Sequence, residues 1–183
     1  MKIGEKLKNF RLRGTDGNYY TNYSFADRYA LCIIVTCNHC PTAQAYWDRI
    51  FALSERYEED SLCIVAVNPN DATKYPQDSF DNMVRFLKNK NRESFVYLHD
   101  ETQELTHALE ARRTPEVFLF NSKRELVYKG AIDDSWDNPN MVTQAYLEDA
   151  IEYCLDGLDI DYPEVQAVGC SIKWLPGNEP QVP

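Results

Sequence analysis

The segment that most narrows the fold is "YALCIIVTCNHCPTAQAYWDRIF", residues 29–51. Its first seven residues are a nearly unbroken apolar, β-branched run, the pattern of a strand covered on both faces. After Pro41, apolar side chains recur at Ala43, Trp47, Ile50 and Tyr57, which is helical spacing. Between the two lie Cys37 and Cys40, three positions apart. A strand running straight into a helix sets this pair at a helix N-terminus, where unpaired N–H groups and the helix dipole favour negative charge. A thiol in that setting is expected to fall from a pKa of roughly 8.5 toward ~7. The spacing therefore predicts a Cys37 ionised near neutrality. Cys40 shares the same side of the first turn and can close a small disulfide ring with it.

A Cys-x-x-Cys serves redox chemistry, metal binding or simple core packing. Position speaks for redox, because the strand-to-helix junction is where thiols become reactive. Zinc would need a second ligand pair, yet the motif occurs once, and His39, His99 and His107 are not spaced as partners. No metal and no cofactor are expected.

The rest of the chain alternates between the two periods. "FRLRGTDGNYYT" reads as an N-terminal hairpin around Asp16-Gly17. "LCIVAV" (62–67) is a second buried strand, and the polar stretch 68–79 is a long loop. Phe80, Met83, Val84 and Leu87 mark a helix. "FVYL" (95–98) is a short strand, and Leu105, Ala108 and Leu109 suggest another helix. "EVFLF" (116–120) and "ELVYKG" (125–130) form a hairpin, and Leu147, Ile151, Cys154 and Leu155 a last helix. The fold expected is α/β: a three-layer sandwich with a mixed central sheet, helices on both faces, an N-terminal β-hairpin and an extended C-terminal tail. Residues 1–160 are read as one domain and 161–183 as the tail packing on it.

Charge removes some functions. A formal net charge of -10, with basic residues scattered singly or in pairs, argues against nucleic-acid binding. No stretch approaches the ~18 apolar residues of a membrane span. The N-terminus "MKIGEKLKNFRLRG" is charged throughout and has no signal-peptide core. A cytoplasmic protein without membrane or nucleic-acid partners is expected. Of the six cysteines, Cys32, Cys63 and Cys154 fall on apolar faces and are assigned to the core. Cys170 stands in a Gly-led polar tail. Either it is a third redox thiol, or it is the incidental neighbour of Ile172 and Trp174, which dock the tail; the second reading is preferred.

Five stretches carry a resemblance to a known group: "CNHCP" (37–41) after a buried strand, "TPEVFLF" (114–120), the hairpin closing at "YKG" (128–130), the N-terminal "FRLRGTDGNYY", and "GCSIKW" (169–174). Over roughly residues 3 to 174 the chain resembles the thioredoxin superfamily, closest to peroxiredoxin-like, redoxin-type proteins of the AhpC/TSA and TlpA-like group. The resemblance implies that Cys37 attacks and Cys40 resolves. It also implies that Thr114-Pro115 forms a cis-proline corner beside the thiols, with the Thr114 backbone free to pair edge to edge with an extended substrate. The implied activity is thiol–disulfide exchange with a protein or small-molecule disulfide or dithiol, fed by a thioredoxin-type electron donor.

Departures from the group qualify this. Thr36 stands where thioredoxins carry Trp, and their buried acid would fall near Leu31. Glu116, directly after the proline, is the candidate substitute for that acid, against its reading as a plain strand-end carboxylate. His39 holds the place of the histidine in oxidising members, so a potential less negative than thioredoxin's, about −270 mV, is expected. Two alternatives stay open. One is an antioxidant thiol peroxidase with Cys37 as the sulfenic acid and Arg112 and Arg113 beside it, although Ile34 stands where peroxiredoxins carry Thr. The other is a redox-sensing or partner-binding module without catalysis.

Overall fold

The computed structural model describes residues 1–181; Val182 and Pro183, the end of the expected tail, lie outside the described residues. Its strands are β1 (Arg11–Gly14), β2 (Tyr19–Thr21), β3 (Ala30–Val35), β4 (Leu62–Asn68), β5 (Tyr97–His99), β6 (Arg113–Thr114), β7 (Glu116–Phe120), β8 (Leu126–Gly130), β9 (Glu164–Val165) and β10 (Cys170–Ser171). Four α-helices join them: α1 (Pro41–Arg56), α2 (Phe80–Asn89), α3 (Glu104–Leu109) and α4 (Tyr146–Leu155).

Eight strands make one mixed sheet in the order β2-β1-β5-β4-β3-β7-β8-β9. β3 runs parallel to β4 and antiparallel to β7, and β4 runs parallel to β5. All six residues of β3 are buried. Alternation along a strand explains how: Ala30, Cys32 and Ile34 join one core, while Leu31, Ile33 and Val35 join the other. The first core is roofed by α1, α2 and α4 through Trp47, Ile50, Met83, Leu87, Leu147 and Ile151. The second is roofed by α3, through Leu105 and Leu109, together with N-terminal residues such as Phe10 and Phe25. The result is the thioredoxin-like three-layer sandwich.

Local chemistry sets the ends of the helices that matter for the site. Pro41 occupies the first position of α1, where its missing N–H costs nothing, and Cys40 precedes it as N-cap. Ser79 caps α2 by accepting the Asn82 N–H at 3.2 Å. Trp47, fully buried, anchors α1 within a ring of aromatics: Phe51, Phe86, Phe95 and Tyr97 lie 4.8 to 6.1 Å from it between centroids.

Three local expectations are corrected. Strand pairing at 95–98 begins at Tyr97 because Phe95 turns into the aromatic ring instead. Cys63, assigned to the core, is only half-buried, beside Arg28 and Arg92 in a surface cleft. The stretch 68–79 is more than a solvated loop: Thr73, Lys74, Pro76 and Gln77 are exposed, but Asn68, Asn70, Asp71 and Asp78 are buried.

Candidate functional site

Strands β3 and β4 are parallel, so both end at the same edge of the sheet, where the thiols collect. Cys37 lies two residues past β3, and its carbonyl accepts the Trp47 indole N–H at 3.0 Å. Its sulfur lies 3.6 Å from the Thr114 hydroxyl. Thr114-Pro115 is a cis peptide bond at the start of β7. Cys37, Cys40 and Ala43 form a small cluster of their own, against which Cys170 packs.

The sulfur pairing differs from the expected ring. Cys40 is bonded to Cys170, 130 residues away, and Cys37 is a free thiol. Cys170 is therefore not an incidental neighbour of the docked tail. The tail arrives as a strand: β10 pairs antiparallel with β6, setting Cys170 opposite Thr114 and Ser171 opposite Arg113. Gly169 permits the approach, since a Cβ there would lie 2.4 Å from the Thr114 carbonyl oxygen. Beyond the strand, Ile172 is buried in the second core, with Trp174 packed beside it.

The electrostatic expectation for Cys37 is also overturned in this state. The N–H groups of His39 and Cys40 do favour its thiolate, as does the Thr114 hydroxyl. Complete burial outweighs them, with the nearby Asp78 carboxylate adding to it, and the thiol is pushed up to about 11 from an ordinary 9.0. A half-charge at the helix start cannot offset loss of water together with a neighbouring anion.

That anion is the site's main unforeseen residue. Asp78 has no exposed surface. Its Oδ1 accepts the Asn38 backbone N–H at 2.7 Å and the Asn68 amide at 3.2 Å. Its Oδ2 accepts the Asn70 amide at 3.0 Å and pairs with His39 Nδ1. The Tyr97 hydroxyl extends the network, donating to Asn38 Oδ1 at 2.7 Å and accepting from the Asn68 amide at 3.0 Å. A carboxylate held by four donors is how a buried charge is tolerated. The network reaches the tail, because Asn70 Oδ1 accepts the Lys173 N–H at 3.0 Å. Its sequence signal was the run of Asn and Asp in 68–79, read as loop chemistry because nothing local distinguishes a buried carboxylate from a solvated one.

The other expected site residues separate into two groups. His39 lies within the site, half-buried, stacked on Tyr75 at 5.6 Å and tied to Asp78. Its Nδ1 is thus engaged by the Asp78 carboxylate rather than turned to the sulfur. Glu116 belongs elsewhere. Its Oε1 accepts the N–H groups of Arg112 and Arg113 at 2.8 and 3.1 Å, and burial raises its pKa. It lines a separate cleft with Arg112, Arg113 and Lys129, and Arg112 and Arg113 are exposed there. Asp78, not Glu116, is the acid beside Cys37.

Cys37, His39 and Asp78 bring their ligand atoms within 4.8 Å of one another. Both Asp78 oxygens are already engaged by Asn38, Asn68, Asn70 and His39, so the carboxylate is committed to its own network beside the sulfur. The arrangement holds three thiols in one cluster, two of them oxidised, with an acid–imidazole pair next to the third.

No curated protein matches the sequence. Among solved structures, a hypothetical protein from Sinorhizobium meliloti is 32% identical, with 97% of each chain covered and a TM-score of 0.90. An uncharacterised conserved protein from Geobacillus kaustophilus is also 32% identical, over 96% of this chain and 94% of that one, with a TM-score of 0.89. A thiol:disulfide interchange protein of the thioredoxin family from Chlorobium tepidum shares the fold at 12% identity, over 85% of this chain and 99% of that one, with a TM-score of 0.64. The family model described as Redoxin matches residues 2–145, which hold Cys37, Cys40, Asp78 and the Thr114-Pro115 corner but not Cys170. With that match over most of its length, the chain belongs to the Redoxin family.

Proposed function

We propose that the protein is a thiol–disulfide oxidoreductase in which Cys37 attacks and Cys40 resolves. The observation that carries this reading is the sulfur cluster itself: a free Cys37 beside a Cys40 already engaged in a disulfide, at the carboxyl end of the parallel strands. The Cys37 thiolate attacks a substrate disulfide, one substrate sulfur leaves as thiolate, and a mixed disulfide forms. Cys40, as a thiolate in the fully reduced protein, then attacks Cys37, closing Cys37–Cys40 and releasing the second substrate thiol. In this reading Asp78 and His39, whose side-chain atoms lie within 4.8 Å of the Cys37 sulfur, take and return the protons that these steps displace. Substrates of this reading are protein or small-molecule disulfides and dithiols, with a thioredoxin-type donor restoring the reduced form.

A cytoplasmic setting fits a chain that exchanges with such a donor. No helix among the described residues is long and apolar enough to cross a membrane. Exposed Arg112 and Arg113 turn toward the Glu116 cleft rather than the sulfur, so nothing in their placement favours the peroxidase alternative.

Insulin reduction by the full chain, with a redox titration of the Cys37–Cys40 couple, tests the proposal. Turnover that vanishes in Cys37→Ser is expected. Turnover retained in Cys37→Ser, or a chain without exchange activity that consumes peroxide far faster than a free thiolate, sinks it.

A further inference from the structure

We propose that Cys170 is a third redox-active thiol, which exchanges its disulfide with Cys37 through Cys40 and, while bonded, keeps the β6 edge closed to extended peptides. This rests on the thiol–disulfide reading above and extends it to a segment beyond the Redoxin match.

Three independent features of the tail converge. Its strand pairing puts Cys170 opposite Thr114, the backbone position at which an extended substrate would pair. Its sulfur is bonded to Cys40, the thiol that Cys37 would engage. Its remaining length is clamped rather than loose. The Asp71 N–H and the Gln103 amide donate to the Lys173 carbonyl at 2.8 and 3.1 Å, and Gln103 Oε1 accepts the Leu175 N–H at 2.9 Å. A tail that only covered the core would need Ile172 and Trp174. It would not need a glycine shaped to the Thr114 carbonyl and a cysteine aimed at the redox pair.

The exchange balances without an external oxidant. Cys37 loses its proton and attacks the Cys40 sulfur. The Cys37–Cys40 bond forms as Cys40–Cys170 breaks, the electron pair leaves on the Cys170 sulfur, and that sulfur takes up a proton. One disulfide and one thiol are present before and after. In the Cys37–Cys40 form the covalent tie on β10 is gone and the Thr114 edge can be vacated. In the Cys40–Cys170 form, Cys37 is regenerated as a thiol under a closed tail. The tail is thus a captive substrate strand, competing with outside peptides for the same edge.

Peptide mapping by mass spectrometry tests this on the full chain, oxidised with diamide and alkylated at its free thiols. Cys37→Ser is expected to hold Cys40–Cys170, Cys170→Ser to hold Cys37–Cys40, and the unsubstituted chain to hold both. Oxidised Cys170→Ser, whose β10 strand is held by non-covalent contacts alone and can be displaced, is expected to oxidise a reduced cysteine-containing extended peptide about tenfold faster than the oxidised unsubstituted chain. Cys170→Ala serves as a second variant. Cys170 recovered as a free thiol in every oxidised sample, or equal peptide rates, overturns the proposal while leaving the Cys37–Cys40 reading intact. Absence of Cys37–Cys40 from Cys170→Ser overturns that parent reading, and the relay with it.

Discussion

The middle of the sheet and its carboxyl end are equally buried and built on opposite principles. Ile33 and Ile34 each pack into a cluster of buried apolar side chains, and order there follows from filling space on both faces of β3. Around Cys37 lie Thr114 and the Asp78 network of Asn38, Asn68 and Asn70, and order there follows from hydrogen bonds between polar side chains, with the Thr36 hydroxyl left without a partner. The first region tolerates a changed methyl group at modest cost. In the second, Asp78 is shared by four partners, so its loss is expected to disturb them together. The two regions touch at Trp47, whose ring packs in the core while its N–H holds the Cys37 carbonyl.

The most severe test of this contrast is Asp78→Ala. It orphans donors on Asn38, Asn68, Asn70 and His39, and at about 1–3 kcal/mol for each buried group left unsatisfied, a loss on the order of 4 kcal/mol in urea unfolding is expected. A loss below about 1 kcal/mol would mean the network is not a structural unit.

Next in size is the pH response of Cys37. With Cys40–Cys170 intact, its alkylation by iodoacetamide should stay slow at neutrality and climb toward the value of about 11 set by burial. The raised pKa means that the folded chain keeps a proton the unfolded chain gives up from 9.0 onward. This thiol's contribution to stability is therefore whole below that pH and is lost as pH rises toward 11. A reaction rate that levels off near pH 7 contradicts the assignment.

Ile33→Val probes the other region. It should cost about 1 kcal/mol and leave the rate of insulin reduction unchanged, since Ile33 packs in the second core and makes no contact through the polar network. A slowed exchange would show the two regions to be coupled through β3. Smallest of all is Glu116→Gln. Its contacts are with the Arg112 and Arg113 backbone in a separate cleft, and the pH profile of exchange should not move. A shifted profile would return Glu116 to the role here given to Asp78.

What was legible in the sequence was whatever short-range periodicity encodes. The buried run at 30–35, the spacing of Ala43, Trp47 and Ile50, and the position of Pro41 identify strand, helix and junction, because period and register are properties of neighbours along the chain. The pair Cys37 and Cys40 was visible for the same reason, and so was the cis Thr114-Pro115 corner once the resemblance was drawn. The partner of Cys40 was not, being 130 residues away. Nor was the state of Cys37, since a helix start argues for ionisation and only burial in the closed fold and Asp78 reverse it.

By itself, then, the sequence determined the layered α/β frame and the place where two sulfurs meet a helix, since both follow from which residues alternate and which recur every third or fourth position. Tertiary structure alone decided which sulfur is bonded, which is buried and which acid faces it. Those outcomes depend on distances between segments remote in the chain, on a returning strand that brings Cys170 to Cys40, and on polar atoms that find their partners only once the fold has closed.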